Sequence, residues 1–179
     1  MEEIRLHSEI RRDRQRWLGV STVGFAFLAL SSLTVGAVDV AEKLTIGAVE
    51  NVTLLPWKVT LPARIDTGAA TSSLDAREIT VRDKRVVFTL ADKYGGLELQ
   101  MPLLEWRKIR TSEGAERRPV VEVELCLGSK QFRMQVTLND RSRVKYPFIV
   151  GRRALQGRFL VDVSRSNILP PSCPEARSQ

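Results

Sequence analysis

Short apolar runs separated by turn residues fill most of the chain after residue 43. The runs rich in Val, Leu, Ile and Thr are Leu44–Val52, Lys58–Ile65, Arg85–Leu90, Leu97–Leu103, Val120–Leu127 and Gln131–Leu138. Glycine-containing turns such as Gly95-Gly96 and Gly128-Ser129 lie between them. This spacing is typical of a barrel or sandwich and not of alternating strands and helices. The pattern predicts an all-β fold, a closed barrel with one short C-terminal helix at Arg152–Gln156.

The N-terminal part of the chain has a different pattern. Residues 17–38 contain no charged side chain and follow a cluster of four arginines, Arg11, Arg12, Arg14 and Arg16. This charge asymmetry is typical of an export signal. The small residues Val35 and Ala37 favour a cleaved signal peptide, but the stretch is also long enough to anchor the chain in a bilayer about 30 Å thick. Residues 1–38 are therefore predicted to be a signal peptide or an N-terminal membrane anchor.

The remaining chain has room for one domain, predicted at residues 39–166, followed by a proline-rich tail, 167–179, that is predicted to be disordered. Export would place the domain in the periplasm or cell envelope, with membrane contact only through residues 17–38 if they stay uncleaved. Two cysteines, Cys126 and Cys173, are present. A disulfide between them is possible in that compartment. Since Cys126 lies in an alternating apolar run, a buried free thiol is the simpler interpretation.

Charge and ligand chemistry narrow the function classes. Lys and Arg outnumber Asp and Glu by 28 to 21, but they form no stripe with interleaved aromatic residues, so a nucleic-acid partner is not predicted. The single histidine, His7, precedes the uncharged segment. No cluster of zinc ligands and no glycine-rich phosphate loop is recognisable. The sequence therefore predicts neither a metal nor a cofactor.

The segment Ala63–Leu74 carries the strongest chemical signal. An apolar strand delivers Asp66 to a tight turn, Asp66-Thr67-Gly68-Ala69. Gly68 permits close backbone approach, and Thr67 can send its hydroxyl to an opposite turn. Two such turns would bring two carboxylates together, so that one is protonated while the other activates a water for attack on a peptide bond. An isolated Asp-Thr-Gly triplet, however, is more often an ordinary turn.

A second segment, Pro147–Leu155, favours the catalytic interpretation of the turn at Asp66 over an ordinary turn. Here apolar residues precede Gly151-Arg152 and a short helix, after a hairpin at Val123–Phe132. Together with the turn at Asp66, these features resemble the bacterial retropepsin-like aspartic protease family, whose members are often labelled putative ATP-dependent zinc proteases. The resemblance covers residues from about Leu44 to Val163. That label does not agree with this sequence, in which neither a phosphate loop for ATP nor a cluster of zinc ligands is recognisable.

The resemblance implies an aspartic endopeptidase that hydrolyses a peptide or protein substrate. Asp66 would be catalytic, Thr67, Gly68 and Ala69 would support the loop, and Gly151 and Arg152 would lie behind it. Since the chain carries one Asp-Thr-Gly, the second carboxylate would be Asp66 of another copy in a homodimer. An alternative is a non-catalytic peptide-binding or assembly module with the same fold.

A flap is expected between Leu99 and Val121, with Ser112, Glu113 and Gly114 at its tip, although a plain surface loop fits equally well. One departure from the family concerns Arg152. In the viral enzymes this arginine pairs with an acid four residues after the catalytic Asp, and here that position is Ala70. Arg152 must therefore have another partner.

Overall fold

The computed structural model describes residues 42–111 and 114–170. The elements of this part of the chain are β1 (Leu44–Gly47), β2 (Val49–Leu55), β3 (Val59–Asp66), β4 (Ser72–Asp75), β5 (Arg77–Arg82), β6 (Arg85–Thr89), a 3₁₀ turn (Asp92–Tyr94), β7 (Glu98–Pro102), β8 (Glu105–Thr111), β9 (Gly114–Leu127), β10 (Lys130–Asn139), β11 (Phe148–Gly151), α1 (Arg152–Leu155) and β12 (Phe159–Asp162). The predicted all-β class with one short α-helix is confirmed.

Six strands form a closed ring. The main sheet has the order β10-β4-β11-β3-β2-β9-β8, and β9 also pairs with β10. The ring closes because the C-terminal half of β9 has partners on both sides, β10 and β2. Two parallel pairings, β3 with β11 and β4 with β10, bring segments far apart in sequence side by side. The turn after β3 therefore lies against the end of β11.

Alternating burial along the strands explains how the ring encloses its core. In β3, Leu61, Ala63 and Ile65 are buried, whereas Thr60 and Arg64 are exposed. This period of two is what a strand with one inward face requires. Other fully buried apolar side chains complete the core, among them Val52, Leu54, Leu74, Leu125, Leu127, Leu138 and Phe148. The core fixes the register of β3 and thereby the position of Asp66 at its end.

Two smaller units extend from the ring. The N-terminal half of β9 leaves the ring and pairs with β8 as a two-stranded arm, from Glu105 opposite Val120 to Thr111 opposite Gly114. Strands β5, β6 and β7 form a separate antiparallel sheet. The sequence pattern missed β5 and β8. Both strands have exposed charged residues, such as Arg82 and Lys108, so they contain too few apolar residues to form a recognisable apolar run.

The first residues of the predicted disordered tail are ordered. The Asn167 amide donates to the Val49 carbonyl at 2.7 Å. The carboxylate of Glu50, which is fully buried, accepts from the amides of Gly47, Ile168 and Leu169. The predicted disorder is therefore corrected for residues 167–170, because a buried acid on β2 provides partners that the local sequence does not reveal. Residues 171–179 lie outside the described part.

Cys126 is buried and disulfide-bonded, so its interpretation as a free thiol is wrong. The other predicted partner, Cys173, lies outside the described residues, as does the predicted signal peptide or anchor at residues 1–38. Within the described ranges, no helix is long and apolar enough to cross a membrane. The envelope location stays a prediction.

Candidate functional site

The turn after β3 is held in shape by the carboxylate of Asp66. Its Oδ1 atom accepts hydrogen bonds from the amides of Gly68 and Ala69, both at 3.0 Å. The Ala69 amide also lies 3.2 Å from the Asp66 carbonyl oxygen. Asp66 is half-buried, whereas Thr67 and Gly68 are exposed. The turn therefore orients one oxygen of Asp66 inward, and this fixes the side chain without the help of another side chain.

Gly151 provides the close approach behind the turn. It lies opposite Asp66 in the β3–β11 pairing. A Cβ at this position would lie 2.7 Å from the backbone carbonyl atoms of Thr71 and 2.9 Å from the Ala69 oxygen. Any side chain larger than a hydrogen would push the two segments apart. The sequence places Gly151 behind the site, and this geometry gives the reason for a glycine there.

Arg152 is the partner that the turn uses in place of an acid. Its guanidinium Nη1 donates to the carbonyl oxygens of Thr67 and Gly68, both at 2.8 Å, and its backbone amide donates to the Ala69 carbonyl at 2.9 Å. The replacement of the expected acid by Ala70 thus has a structural explanation: the arginine binds the backbone of the turn. Gly151 and Arg152 both lie against residues 67–71, and their role in support of the turn stays a prediction.

Residues after the turn add a support that the sequence reasoning missed. Strand β4 lies between β10 and β11, and its Ser72 hydroxyl accepts the Gly151 amide at 3.0 Å. The Thr137 hydroxyl donates to the Ser72 carbonyl, and the Ser73 hydroxyl donates to Asn139. The three hydroxyls are buried. A run of small hydroxyl residues after an acidic turn was the available signal, because buried hydroxyls need partners.

A groove runs between the β8–β9 arm and the loop after β10. Its volume is about 650 Å³, within the range of roughly 300–1,000 Å³ common for ligand sites. The residues that line it are Gly114, Ala115, Glu116, Arg118, Asn139, Asp140, Arg141, Ser142, Arg143 and Val144. Three of these side chains are arginines. The groove was not predicted, because its two walls are separated by more than one strand in the sequence.

Arg141 connects this groove to the turn. Its side chain is partly buried, and burial lowers its pKa; the positive charges of Arg118 and Arg64 lower it further, whereas Asp75 and Asp66 raise it. Arg141 Nε donates to the Tyr146 carbonyl at 3.2 Å. Asp66, Asp75 and the guanidinium groups of Arg64 and Arg118 are thus all electrostatic neighbours of Arg141. This grouping was not predicted, because the three arginines come from three separate segments, β3, β9 and the loop after β10.

The loop that carries Arg141 is fastened by Asp75, a buried acid at the end of β4. The Asp75 carboxylate accepts the Arg141 amide at 2.6 Å and pairs with the Arg77 guanidinium at 3.1 Å. The hydrogen bond and charge of Asp75 raise the pKa of Arg77. Asp75 was not among the site residues predicted from the sequence. The structure gives it a role in holding one wall of the groove.

The predicted flap is described only in part. Ser112 and Glu113 lie outside the described residues, and Gly114 begins β9 at the end of the arm. Gly114 lines the groove, so the arm does border the space next to the loop that carries Arg141.

The Thr67 hydroxyl makes no hydrogen bond within the described chain, and the homodimer in which it would reach a second copy stays a prediction. The described residues hold no group of three or more His, Cys, Asp or Glu side chains arranged for a metal ion.

Curated relatives of this chain carry the name "Probable alpha-L-glutamate ligase". The protein from Parasynechococcus marenigrum is 36% identical over 118 residues, 61% of this chain and 25% of the relative. The proteins from Desulfotalea psychrophila and Shewanella pealeana are 32% and 30% identical over 111 and 115 residues, which are 57% and 59% of this chain and 24% and 25% of the relatives. The chain thus spans about a quarter of the length of these relatives.

These names correct the predicted function. The sequence predicted an aspartic endopeptidase, a hydrolase with paired Asp66 carboxylates, but the curated relatives are named ligases and not peptidases. These names therefore contradict the predicted protease function and the predicted hydrolase class. The physical reason for the error is that an Asp-Thr-Gly turn with a supporting glycine and arginine specifies a backbone geometry. It does not specify the reaction.

Two further similarities identify the family. A solved structure from Legionella pneumophila, the protein Lpg0085 of unknown function (DUF785), is 32% identical and superposes with a TM-score of 0.63, covering 71% of this chain and 98% of that one. The family model described as "Retropepsin-like aspartic endopeptidase RimB" matches residues 45–172. This match includes the Asp66 turn, Gly151, Arg152 and both walls of the groove. The chain belongs to the RimB-like family.

Proposed function

We propose that this domain binds glutamate-rich peptide chains and that it does so in alpha-L-glutamate ligation. The names of the curated relatives support the ligation part of the proposal. A chain of α-linked glutamates carries one carboxylate on every residue, so a domain that holds such a chain needs cations along an open groove. Arginine suits this task because its planar guanidinium can bind a carboxylate through two parallel hydrogen bonds.

The observation that carries the proposal is the electrostatic position of Arg141. Desolvation and the nearby charges of Arg118 and Arg64 make the charged form of this guanidinium less favourable. A carboxylate bound in the groove would reverse that effect, since an opposite charge stabilises the charged form. Arg143 adds a further cation to the same lining. The lining also holds the acids Glu116 and Asp140, and Glu116 pairs with Arg118, so the positive charge that an acidic peptide would neutralise is that of Arg141 and Arg143.

Asp66 has a structural part in this function. Its Oδ1 oxygen accepts hydrogen bonds from two amides of the turn, and its negative charge acts to raise the pKa of Arg141, against the larger effect of burial. The turn also presents the exposed backbone of Thr67 and Gly68 at the same end of β3.

Calorimetric titration of the protein with a short α-linked oligo-L-glutamate tests the proposal, with a length-matched oligo-L-glutamine as the neutral comparison. We expect saturable binding of the acidic peptide that weakens as salt is raised, because exposed charge pairs are screened. Arg118→Gln and Arg141→Gln should each weaken binding by about tenfold, equivalent to about 1.4 kcal/mol.

Arg85→Gln is the matched control. Arg85 is exposed on β6, outside the lining of the groove, and its substitution removes the same charge. Thermal melts of all variants establish that each is folded. Equal binding of the oligo-L-glutamine peptide, or equal weakening by Arg85→Gln, would contradict the proposal, because binding would then not depend on carboxylates or on this groove.

A further inference from the structure

A second pocket on the outside of the ring is surrounded by arginines. Its volume is about 150 Å³, and the residues that line it are Thr71, Ser72, Arg107, Arg133, Met134, Gln135, Arg153, Ala154 and Arg158. Four arginines thus line a space that is large enough for one small ion. Among the described residues, no Asp or Glu belongs to this lining. The pocket shares no lining residue with the groove beside the β8–β9 arm.

The four arginines come from separate parts of the fold. Arg107 lies on β8, Arg133 on β10, Arg153 on α1, and Arg158 follows that helix. Two of these charges have a carboxylate partner outside the lining, Arg107 with Glu105 and Arg133 with Glu124, whereas Arg153 and Arg158 are left for an anion to compensate. Local sequence does not bring these residues together; the ring closure through β9 and β10 does. The arrangement is therefore a property of the tertiary structure.

Two of the four side chains are already held in position. Arg107 pairs with Glu105 and donates to Gln135 at 2.9 Å, and its side chain is only 18% exposed. Arg158 lies over the Phe132 ring, 5.0 Å from its centroid, and is close to the Ala154 carbonyl. Fixed donors bind an anion with less loss of side-chain entropy than mobile donors.

The other two side chains can adapt to a ligand. Arg133 is 68% exposed and has only a long contact of 3.5 Å with Glu124. Arg153 is exposed, and its guanidinium makes no hydrogen bond or ion pair within the described residues. The pocket thus combines two fixed cations with two that can close over a bound group.

We propose that this pocket binds a phosphate group. A phosphate dianion has a charge of about −2 and three or more acceptor oxygens, so it compensates several guanidinium groups better than a single carboxylate does. The small volume excludes a whole nucleotide from the pocket and leaves room for one phosphoryl group. The source is either free phosphate or a phosphoryl group on a larger molecule whose remainder lies outside.

A bound phosphate would also stabilise the turn at Asp66. Thr71 and Ser72 line the pocket, and Ser72 accepts the Gly151 amide behind the turn. Arg153 is joined to the same region because its backbone amide lies 3.4 Å from the Ala70 carbonyl. An anion that bridges Arg153 and Arg133 would therefore tie α1 to β10 on the far side of β4.

Calorimetric titration with inorganic phosphate tests the site. We expect saturable binding that strengthens as the pH rises from about 5 to about 7.5, because the dianion forms in that range while arginines stay charged. The double variant Arg133→Gln/Arg153→Gln should weaken phosphate binding at least about tenfold. Its matched control is Arg82→Gln/Arg85→Gln, which removes the same charge from the exposed hairpin of β5 and β6.

Further probes identify the source and the limits of the site. If a phosphoserine peptide or a nucleoside monophosphate competes with inorganic phosphate and binds more tightly, the ligand is a phosphoryl group on a larger molecule; if neither competes, the ligand is free phosphate. Equal weakening by the two double variants would overturn the proposal, since binding would then reflect net charge alone. Binding of acetate as tight as that of phosphate, or no saturable binding of any phosphate probe, would also overturn it.

Discussion

The turn at Asp66 and the groove beside it are built in opposite ways. Backbone atoms hold the turn: two amides bind Asp66, and Arg152 binds two carbonyls. Side chains make the groove, with long arginines on the arm and on the loop after β10. A backbone framework of this kind permits little displacement, whereas an exposed arginine such as Arg143 can adopt several rotamers.

This difference shows where stability and specificity reside. Substitutions at the turn should change the free energy of unfolding, because they disturb packed backbone segments. Substitutions in the groove should change binding of an anionic ligand while the fold persists, because surface side chains away from packed features contribute little to stability. Variants chosen in pairs can test this division.

The largest effect is expected for Gly151→Ala. The added Cβ would lie 2.7 Å from the backbone of Thr71, and backbone atoms cannot move as easily as a flexible side chain. Overpacking of this kind costs on the order of 1–3 kcal/mol of unfolding free energy. Urea denaturation measures the change.

Gly68→Ala is the matched comparison for that experiment. A Cβ at Gly68 meets only the Asp66 Oδ1 atom, at 3.2 Å. We expect a loss clearly smaller than that of Gly151→Ala. If both variants lost the same stability, the close approach of β11 to the turn would not be the reason for a glycine at residue 151.

A smaller loss is expected for Arg152→Gln. The change removes the guanidinium that binds the carbonyls of Thr67 and Gly68, and a net cost of about 1 kcal/mol follows because these exposed carbonyls can bind water instead. The neighbouring Arg153→Gln is the control, since that side chain makes no hydrogen bond within the described residues. Thermal or urea denaturation in which the two variants unfold alike would refute a stabilising role for Arg152.

Asp66→Asn should separate stability from binding. The amide oxygen of Asn can accept the same two backbone hydrogen bonds, so the unfolding free energy should change by less than about 0.5 kcal/mol. Loss of the negative charge that acts on Arg141 should strengthen binding of an oligo-L-glutamate by a few-fold, the opposite of Arg118→Gln. Titration calorimetry measures both variants. Weaker binding by Asp66→Asn would show that the charge of Asp66 assists the acidic ligand.

The sequence was informative wherever a local pattern determined the structure. Alternation of apolar residues identified β3 and β10, and the motifs at Asp66 and Gly151 identified the two segments that meet behind the turn. It was uninformative where distant residues converge. Nothing in the local sequence distinguishes Arg118 and Arg141 from ordinary surface arginines. They become neighbours only through the path of β9 and of the loop after β10. The buried Glu50, which orders the start of the C-terminal segment, gave no local signal for the same reason.

The smallest effect concerns Asp140, an exposed acid in the groove. The hydroxyl of Ser142, followed by its backbone amide, lowers the pKa of Asp140 below its ordinary value of 3.8. Ser142→Ala removes the larger of these two causes and leaves the amide, which lies 2.7 Å from Asp140 Oδ1. The pKa of Asp140 should therefore rise part of the way toward 3.8.

The sign of the accompanying stability change follows from linkage. A carboxyl group whose folded pKa is depressed stabilises the fold above its unfolded pKa, and that contribution is lost as the pH falls through the folded pKa. The wild type should thus exceed Ser142→Ala slightly in stability at neutral pH, and the difference should vanish in strong acid. Titration of the Asp140 carboxyl by NMR, with Asp162 as an internal reference because its own partner is Ser164, measures the shift directly. An unchanged Asp140 pKa would mean that the Ser142 hydroxyl does not bind the acid in solution, so that only the Ser142 amide links this residue to the Asp140 carboxylate.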